Sequence, residues 1–323
     1  MTFMNILITG AAGFIGFGIT KYLLSSSNAR IIGIDNLNNY YSKVLKKDRI
    51  KELLQYKKFS FFKVNILDKK KLDKIFKVKK IDLVINLAAQ AGVRYSLKHP
   101  NEFIDNNILG FNTLIDTAKR YKVKKIIYAS SSSIYGDSKK FPLNENQNLM
   151  PKNIYALSKK INEEMAEIFS EQYNISFIGL RFFTVYGEWG RPDMFMMKYL
   201  TSSYNKKTNF YLNNYGKHTR DFTYILDVSK IISKLVFSKK KLKHEIFNIC
   251  SNNPKKLTNI IKKIDFLTKK KPKLIKRKLQ QADVLKTHGT NKKIKNYIGD
   301  QKFTTIDHGL KNTIKWFKKY YKL

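Results

Sequence analysis

The sequence lacks the features that would indicate a secreted, membrane-bound or metal-binding protein. Its single cysteine, Cys250, cannot form an internal disulfide, which is typical of a reducing compartment, so we expect a cytoplasmic protein. No stretch approaches the roughly 18 consecutive apolar residues of a membrane span. Residues 1–5 do not form the basic region and apolar run of a signal peptide. The five histidines are scattered without metal-ligand spacing, so the sequence predicts no metal site.

Acidic residues are scarce, because 24 Asp and Glu stand against 63 Lys and Arg and give a formal net charge of +39. A basic surface attracts polyanions, so a role on nucleic acid has to be weighed. The lysines, however, are spread along predicted helices, as in Lys262-Lys263 and Lys318-Lys319. They are not interleaved with aromatic side chains that could stack on bases. We interpret them as a solvated surface and expect DNA affinity that is weak, salt-dependent and indifferent to sequence.

The remaining composition is that of an ordinary globular protein, with 43% hydrophobic and 27% charged residues over 323 positions. At about 150 residues per domain, this length predicts roughly two domains. Short apolar runs alternate with helical patterns, which predicts an α/β fold with a doubly wound parallel sheet covered on both faces. The predicted strands are 5–9, 31–34, 59–64, 83–87, 125–129 and 176–182, and the predicted helices include 103–121 and 154–173.

A glycine-rich turn, Gly10-Ala-Ala-Gly-Phe-Ile-Gly16, follows the first predicted strand and begins a helix. Such a turn lets a pyrophosphate approach the backbone, and the helix N-terminus supplies N–H donors and a positive dipole. Asp35 stands at the end of the second strand, where a carboxylate accepts hydrogen bonds from an adenosine ribose. The turn, the spacing and the acid together predict a dinucleotide site. Asp35 favours NAD, because a carboxylate repels the 2′-phosphate of NADP.

Three Tyr-x-x-x-Lys pairs are candidates for a catalytic tyrosine and lysine. Because lysine is so abundant, the spacing alone carries no information, and only the position in the predicted fold separates the pairs. The pairs that begin at Tyr121 and Tyr135 lie at a helix end and in a turn. Tyr155 and Lys159 lie at the start of a predicted helix, where a spacing of four places both side chains on one face.

Four serines, Ser130 to Ser133, follow the predicted strand 125–129. Ligands of a doubly wound sheet bind beyond the carboxyl ends of its strands, so these hydroxyl groups are expected to line the site. The alternative is a polar loop without a function.

These motifs give the chain a family resemblance. It resembles the extended short-chain dehydrogenase/reductases, within them the NAD-dependent epimerase/dehydratase family, and in particular the bacterial UDP-glucuronate 4-epimerases. The resemblance extends to about Asp227 and resumes around Asp283. The segments that carry it are the glycine turn, 87–94 (LAAQAGVR), the serine run with Tyr135-Gly136, Tyr155 with Lys159, 181–187 (RFFTVYG), 190–193 (GRPD) and 220–224 (RDFTY).

The resemblance implies that NAD is the cofactor. The family usually has Asp at the position of Asn65, whose amide oxygen can still accept a hydrogen bond from the adenine amino group. The implied cofactor residues are Gly10, Gly13, Phe14, Ile15 and Gly16 at the pyrophosphate, Asp35, Asn36 and Asn38 at the adenosine ribose, Asn65 and Ile66 at the adenine, and Leu87, Ala88, Ala89, Gln90, Asn106, Tyr155 and Lys159 towards the nicotinamide.

The resemblance also implies a UDP-sugar substrate, with Tyr155, Lys159 and Ser131 as the catalytic residues. Before Asp283 the family usually has Pro-Gly where this chain has Gln281-Ala282, which weakens the resemblance there. The implied substrate residues are Arg94, Ser131, Ser132, Ser133, Thr184, Arg191, Arg220 and Asp283.

The implied chemistry begins at a tyrosine, whose ordinary pKa near 10 makes it a poor base unless its phenolate is stabilised. We expect Lys159 and the positively charged nicotinamide to lower the pKa of Tyr155. Tyr155 then takes the proton of the sugar 4-OH while the C4 hydride passes to NAD⁺, and Ser131 relays the proton. The 4-keto sugar rotates about its diphosphate linkage before the hydride returns to its other face.

The serine run distinguishes the relatives that share this first half-reaction. A 4,6-dehydratase carries Asp-Glu at the positions of Ser132 and Ser133, and a uronate decarboxylase typically places Glu at Ser133. The resemblance therefore favours 4-epimerisation of UDP-glucuronate to UDP-galacturonate. The alternatives are another UDP-sugar 4-epimerase or decarboxylase, or a catalytically silent NAD-binding protein that uses its basic face on nucleic acid.

The family also implies an architecture. We expect a Rossmann domain over residues 1–186, with 222–250 returning to it, and a smaller C-terminal α/β domain that binds the UDP-sugar over 187–221 and 251–323. The helices over 103–121 and 154–173 are expected to pair in a homodimer. No specific nucleic-acid partner and no membrane association are expected.

Overall fold

A computed structural model describes residues 3–205, 207–240, 242–280 and 283–323 of the chain. Its strands are β1 (Asn5–Thr9), β2 (Arg30–Asp35), β3 (Phe59–Lys63), β4 (Leu83–Asn86), β5 (Lys125–Ser131), β6 (Ser176–Phe182), β7 (Thr184–Tyr186), β8 (Phe210–Asn213), β9 (Thr219–Tyr224), β10 (His244–Ile249), β11 (Pro254–Lys256) and β12 (Leu274–Arg277). Seven of them form a parallel sheet in the order β10-β6-β5-β4-β1-β2-β3. The predicted α/β class and its parallel sheet are therefore confirmed.

The central sheet is apolar on both faces, which explains why its strands are continuous apolar runs rather than alternating ones. In β1, Ile6 and Ile8 pack into one buried cluster, and Leu7 between them packs into a second cluster on the opposite face. Consecutive side chains of a strand point to opposite faces, so each run of this kind fills two cores.

Helices cover both faces of the sheet. They are α1 (Phe14–Ser26), α2 (Lys43–Leu53), α3 (Lys69–Lys79), α4 (Val93–Ser96), α5 (Pro100–Phe103), α6 (Gly110–Arg120), α7 (Ile154–Tyr173), α8 (Phe195–Tyr204), α9 (Ile225–Phe237), α10 (Leu257–Thr268), α11 (Lys292–Ile298) and α12 (Ile306–Tyr321). Helix α7 has the predicted bounds, and the Asn153 side chain caps its N-terminus by accepting from the Ala156 N–H.

The predicted helix over 103–121 forms one helical stretch, in which a π-helical turn over Ile104–Leu109 joins α5 to α6. The buried side chain of Asn107 explains the wider turn. Its oxygen accepts from the Gln90 N–H at 2.7 Å, and its amide donates to the Gln90 carbonyl at 3.0 Å and the Ser158 hydroxyl at 2.9 Å. A π-turn inside a helix is frequent at functional sites.

The C-terminal half contributes two small sheets, β11-β9-β7 and β12-β8. The chain also returns to the central sheet, since β10 pairs in parallel with β6 and α9 packs against α1. The division into two domains stays a prediction. None of the helices in the described parts of the chain is long and apolar enough to cross a membrane.

Candidate active site

A cavity of about 790 Å³ opens at the carboxyl ends of the parallel strands. Every residue that the sequence singled out for cofactor, catalysis or substrate lines it. They are Gly10, Gly13, Phe14, Ile15, Gly16, Asp35, Asn36, Asn38, Asn65, Ile66, Leu87, Ala88, Ala89, Gln90, Arg94, Asn106, Ser131, Ser132, Ser133, Tyr155, Lys159, Thr184, Arg191, Arg220 and Asp283.

The glycine turn has a geometry that side chains would block. Gly10 has φ +69°, and a Cβ there would lie 2.8 Å from the Ala88 nitrogen. A Cβ at Gly16 would lie 2.0 Å from the Gly10 carbonyl oxygen. Gly13 begins α1 without a side-chain cap, so the N–H groups of the first turn remain available at the cavity. This cradle fits a pyrophosphate.

Asp35 lies at the end of β2 and is held by two backbone N–H groups. Its carboxylate accepts from Ala12 at 3.2 Å and from Leu37 at 2.8 Å. Burial raises the pKa of Asp35, while these hydrogen bonds and the nearby Lys46 and Arg49 lower it in part. The carboxylate is thus fixed beside the turn, in the position that suits a ribose hydroxyl.

The loop after β4, which carries Ala88 to Gln90, is fixed by side chains outside the predicted set. The Thr9 hydroxyl accepts from the N–H groups of Leu87 and Ala88 at 3.1 and 3.0 Å. Asn107 holds the next part of this loop through both backbone groups of Gln90. The wall of the cavity that is expected to face the nicotinamide is therefore held in a fixed conformation.

Tyr155, Lys159 and Ser131 come together between α7 and the end of β5. The Lys159 ammonium donates to the Ala129 carbonyl at 2.9 Å, and burial lowers the pKa of Lys159 to about 8. Ser131 accepts from the Ser133 N–H and hydroxyl at 3.2 and 2.9 Å. Burial raises the pKa of Tyr155, and a hydrogen bond from Ser131 together with the charge of Arg191 lowers it only in part.

The expectation that Lys159 and the nicotinamide together lower the pKa of Tyr155 stays a prediction. The ammonium of Lys159 is directed at the Ala129 carbonyl, and the charge that acts on Tyr155 is that of Arg191. The two groups instead share a water-poor site that disfavours both charged forms.

Arg191 and Thr184 also line the cavity. Arg191 forms a two-pronged ion pair with Asp193, with its Nε 3.0 Å from Oδ1. Tyr40 donates to the other Asp193 oxygen at 3.3 Å. Burial alone would lower the pKa of Arg191, but Asp193 keeps it above its ordinary value. Asp193 therefore neutralises part of the charge that the sequence assigned to substrate binding.

A further group of cavity residues comes from chain segments that are distant in sequence. Arg94 in α4 forms a bidentate ion pair with Asp283, with N–O distances of 3.1 and 2.6 Å. Arg220 donates to the carbonyls of Val284 and Leu285 at 2.6 and 3.1 Å, and burial lowers its pKa to about 10. Gln281-Ala282, where the family pattern is broken, lies outside the described residues.

The other two Tyr-x-x-x-Lys pairs do not line the cavity. Tyr135 is fully buried, and its hydroxyl donates to Asn248 at 2.7 Å and accepts from Arg181 at 2.9 Å. Tyr121 follows α6 and packs against Phe76. The pair favoured by its position in the fold, Tyr155 with Lys159, is therefore the one that lines the cavity.

Sequence reasoning missed several residues that also line the cavity. Lys46 is nearly buried, and its ammonium donates to the Asn38 backbone and side-chain oxygens at 2.9 and 2.6 Å. Tyr40, Asp193 and Lys198 were missed as well. The signal for Lys46 was its neighbour Leu45 in the apolar stripe of α2, but a lysine in a lysine-rich chain is read as solvated.

Within the described ranges, no group of three or more His, Cys, Asp or Glu side chains is arranged to hold a metal ion. The side chains that line the cavity include the half-buried phenol of Tyr155, the ammonium of Lys159, hydroxyl groups and guanidinium groups.

Comparison with known proteins adds independent information. The model of the NAD dependent epimerase/dehydratase family matches residues 6–250. An uncharacterised protein of Methanocaldococcus jannaschii is 43% identical over 320 residues, which cover 98% of this chain and 97% of that protein. A UDP-glucuronate 4-epimerase of Thermodesulfobacterium geofontis is 36% identical over 314 residues, which cover 97% of this chain and 95% of that protein.

A solved structure is similar over nearly the whole chain. It is the crystal structure of the UDP-glucuronic acid 4-epimerase from Bacillus cereus in complex with UDP-glucuronic acid and NAD. The TM-score is 0.92 at 29% identity, with 98% of this chain and 100% of that chain covered.

Proposed function

Because this chain belongs to the NAD dependent epimerase/dehydratase family, we propose that it interconverts UDP-glucuronate and UDP-galacturonate by inverting C4 of the sugar. The coarser activity is that of an NAD-dependent UDP-sugar 4-epimerase, an isomerase. The choice of a uronic acid is the finer part of the proposal, and it depends on the residues at the sugar end of the cavity.

NAD held by the glycine turn and Asp35 would supply the hydride-transfer chemistry at C4 of the sugar. Tyr155 takes the proton of the 4-OH, and Ser131 supports the phenolate by donating its own hydrogen bond. Burial raises the pKa of Tyr155, so the cationic groups at the site have to favour its ionised form during the reaction.

The sugar and the nucleotide of the substrate have to be held differently during inversion. The sugar has to rotate, whereas the nucleotide has to stay in place. Arg94, Arg220 and Asp283 lie together in the cavity, where they can hold the diphosphate and the uridine ribose. A fixed nucleotide lets the 4-keto sugar turn about its diphosphate linkage without leaving the enzyme.

Neutral donors around the sugar carry the choice of a uronic acid. Oxidation of a uronate at C4 creates a β-keto acid, which loses carbon dioxide readily when its carboxylate enters an apolar site. Ser132, Ser133 and Thr184 offer hydroxyl groups that replace hydration and hold the angle of the carboxylate, and Arg191 adds a positive charge. No carboxylate stands at these positions to repel the substrate.

A panel of UDP-sugars tests the proposal directly. Purified protein is incubated with UDP-glucuronate, UDP-glucose and UDP-N-acetylglucosamine, and the products are resolved by chromatography. We expect UDP-galacturonate as the main product, with little UDP-pentose. Faster epimerisation of an uncharged sugar would reassign the substrate. Release of UDP-pentose would make the protein a decarboxylase, and no turnover by NAD-loaded protein would favour the silent nucleic-acid-binding alternative.

We further propose a homodimer that pairs the π-turn and α6 with α7. This surface exposes large apolar side chains, namely Ile104, Leu109, Leu157, Ile168 and Tyr173. Light scattering coupled to size-exclusion chromatography should give twice the chain mass of 37.9 kDa. A monomer that persists at high concentration would overturn this assignment.

The domain division and compartment also belong to the proposal. Residues 1–186 with 222–250 form the NAD-binding unit, and 187–221 with 251–323 form the UDP-sugar-binding unit. The compartment is the cytoplasm, in keeping with a single cysteine, and fractionation of cells that carry the tagged protein would test it.

A further inference from the structure

Arg49 is a fully buried arginine that the reaction outlined above does not use. It lies in α2 and has no measurable exposure. One guanidinium nitrogen donates to the Ala12 carbonyl and the Tyr41 hydroxyl, both at 2.8 Å. The other donates to the Trp189 carbonyl and lies 3.5 Å from that of Gly190.

The partners of Arg49 are carbonyl and phenol oxygens, and none of these four acceptors is a carboxylate. Burying a guanidinium among neutral acceptors costs desolvation that no direct ion pair offsets. A lysine or an apolar side chain could fill the same space but could not reach three separate chain segments at once. The geometry therefore indicates a linking role rather than a charge-pairing one.

The linked segments contribute to two different parts of the proposed site, the cofactor turn and the loop that carries Arg191. Ala12 is part of the glycine turn, and its N–H donates to the Asp35 carboxylate while its carbonyl accepts from Arg49. Trp189 and Gly190 directly precede Arg191, whose side chain lines the cavity. Arg49 thus joins the cofactor turn to the loop that carries Arg191.

The loop before Arg191 needs this support because its backbone is strained. Trp189 has φ +60°, in the left-handed region that a bulky side chain rarely adopts. Its indole packs against Phe17, Trp316 and Tyr320, with ring centroids 5.0, 5.3 and 5.2 Å away. Aromatic packing on one side and the Arg49 hydrogen bond on the other hold the loop in this conformation.

We propose that Arg49 is a positioning residue that fixes Arg191 relative to the cofactor turn, and so sets the preference for a negatively charged sugar. This inference rests on the proposed function, because it takes the uronate carboxylate as the group that Arg191 contacts. It predicts that loss of Arg49 weakens the recognition of the carboxylate more than the recognition of the UDP moiety, which is held at the other end of the cavity.

Binding measurements with Arg49→Lys and Arg49→Gln test the inference. The chain has two tryptophans, Trp189 and Trp316, and they are neighbours in this loop region, so intrinsic fluorescence reports ligand binding there. In the NAD-loaded protein we expect the Kd of UDP-glucuronate to rise about tenfold or more, and that of UDP-glucose by less than about threefold. Arg120→Lys, the same change in an exposed ion pair, is the matched control and should leave both Kd values unchanged.

A double-mutant cycle shows whether Arg49 acts through Arg191. If it does, adding Arg49→Lys to Arg191→Ala should cause no further loss of uronate preference. Equal weakening of both sugars, an intact preference, or additive losses in the double variant would each overturn the inference and leave Arg49 as a purely structural residue.

Two controls allow the result to be interpreted. If neither Arg49 variant unfolds cooperatively, Trp189→Ala takes their place, because it frees the same loop while keeping Arg49, and it should produce the same selective loss in isothermal titration. Turnover of UDP-glucuronate by the wild-type protein tests the proposed function separately. Wild-type turnover with an unchanged preference in the variants would refute only the role of Arg49.

Discussion

The two ends of the cavity are built in different ways. At the cofactor end, the site is formed mainly by backbone atoms. It consists of a glycine turn at a helix N-terminus and a carboxylate held by two N–H groups. In the part of the cavity proposed for the substrate, long side chains from distant segments meet, as in the pair of Arg94 and Asp283 at the nucleotide, which are 189 residues apart. A backbone-built site tolerates no added atoms, whereas a side-chain-built site can be altered one contact at a time.

This contrast has a consequence for specificity. The cofactor end presents one rigid shape, which suits a ligand that never leaves during the cycle. The sugar end presents hydroxyl and guanidinium groups whose identity can change without moving the backbone. We therefore expect substitutions at the two ends to differ in kind: loss of cofactor and fold at one, and altered substrate choice or product ratio at the other.

The largest effect is expected where the two ends meet, at Tyr155. Tyr155→Phe removes the proton acceptor but keeps the ring, so turnover should fall by about three orders of magnitude while NAD stays bound. Absorbance of the purified protein gives the NAD content, and product formation gives the rate. Near-normal turnover in this variant would overturn the mechanism.

The next largest effect tests the rigid end. In Gly16→Ala the new methyl group would lie 2.0 Å from the Gly10 carbonyl oxygen, so the turn has to move. We expect purified Gly16→Ala protein to contain little or no NAD and to melt at a lower temperature. Gly299→Ala is a control for a glycine with open space around it, although its φ of +82° makes some strain expected there too. Full NAD occupancy in Gly16→Ala would show that the turn is not the cofactor cradle.

A smaller effect should follow at the adaptable end. Ser133→Ala or Thr184→Val removes one neutral donor at the sugar side, so the grip on the carboxylate should loosen and the fraction of UDP-pentose should rise about two- to tenfold. Chromatography after a fixed number of turnovers measures both products. If neither variant forms more pentose than wild type, the carboxylate is held elsewhere.

The smallest effect concerns Lys159, whose pKa burial lowers to about 8. Between about pH 8 and the ordinary lysine value near 10.4, the unfolded chain binds a proton that the folded chain has lost, so this group makes stability rise with pH. Below about pH 8 both states carry the proton, and the cost of burying the charge is fully present.

Urea unfolding of the wild type and of Lys159→Met measures this contribution. On going from about pH 7.5 to about pH 9.5, the free energy of unfolding of the wild type should improve relative to the variant. An unchanged difference between the two proteins would show that Lys159 has an ordinary pKa in the folded state.

The sequence predicted the features that depend on neighbouring residues and missed those that depend on contacts between distant segments. The glycine turn before α1, Asp35 at the end of β2 and the bounds of α7 lie where the sequence placed them because short-range patterns determine them, and the match to the family confirms the resemblance. The π-turn was not predicted, because it depends on Asn107 bonding to Gln90 in another segment. Arg49 was missed for a related reason: in a lysine-rich chain, a buried cation cannot be told from a solvated one by pattern alone.

The position of β10 has a consequence for how the chain reaches its fold. β10 is synthesised after 243 other residues. It nevertheless pairs with every residue of β6 but one. Until β10 has been synthesised, β6 is the unpaired edge strand of the central sheet. An unpaired edge with an apolar surface can pair with another chain. A fragment that ends at residue 186 should therefore aggregate during expression, and the newly made chain must protect that edge while the ribosome completes the following sixty or so residues.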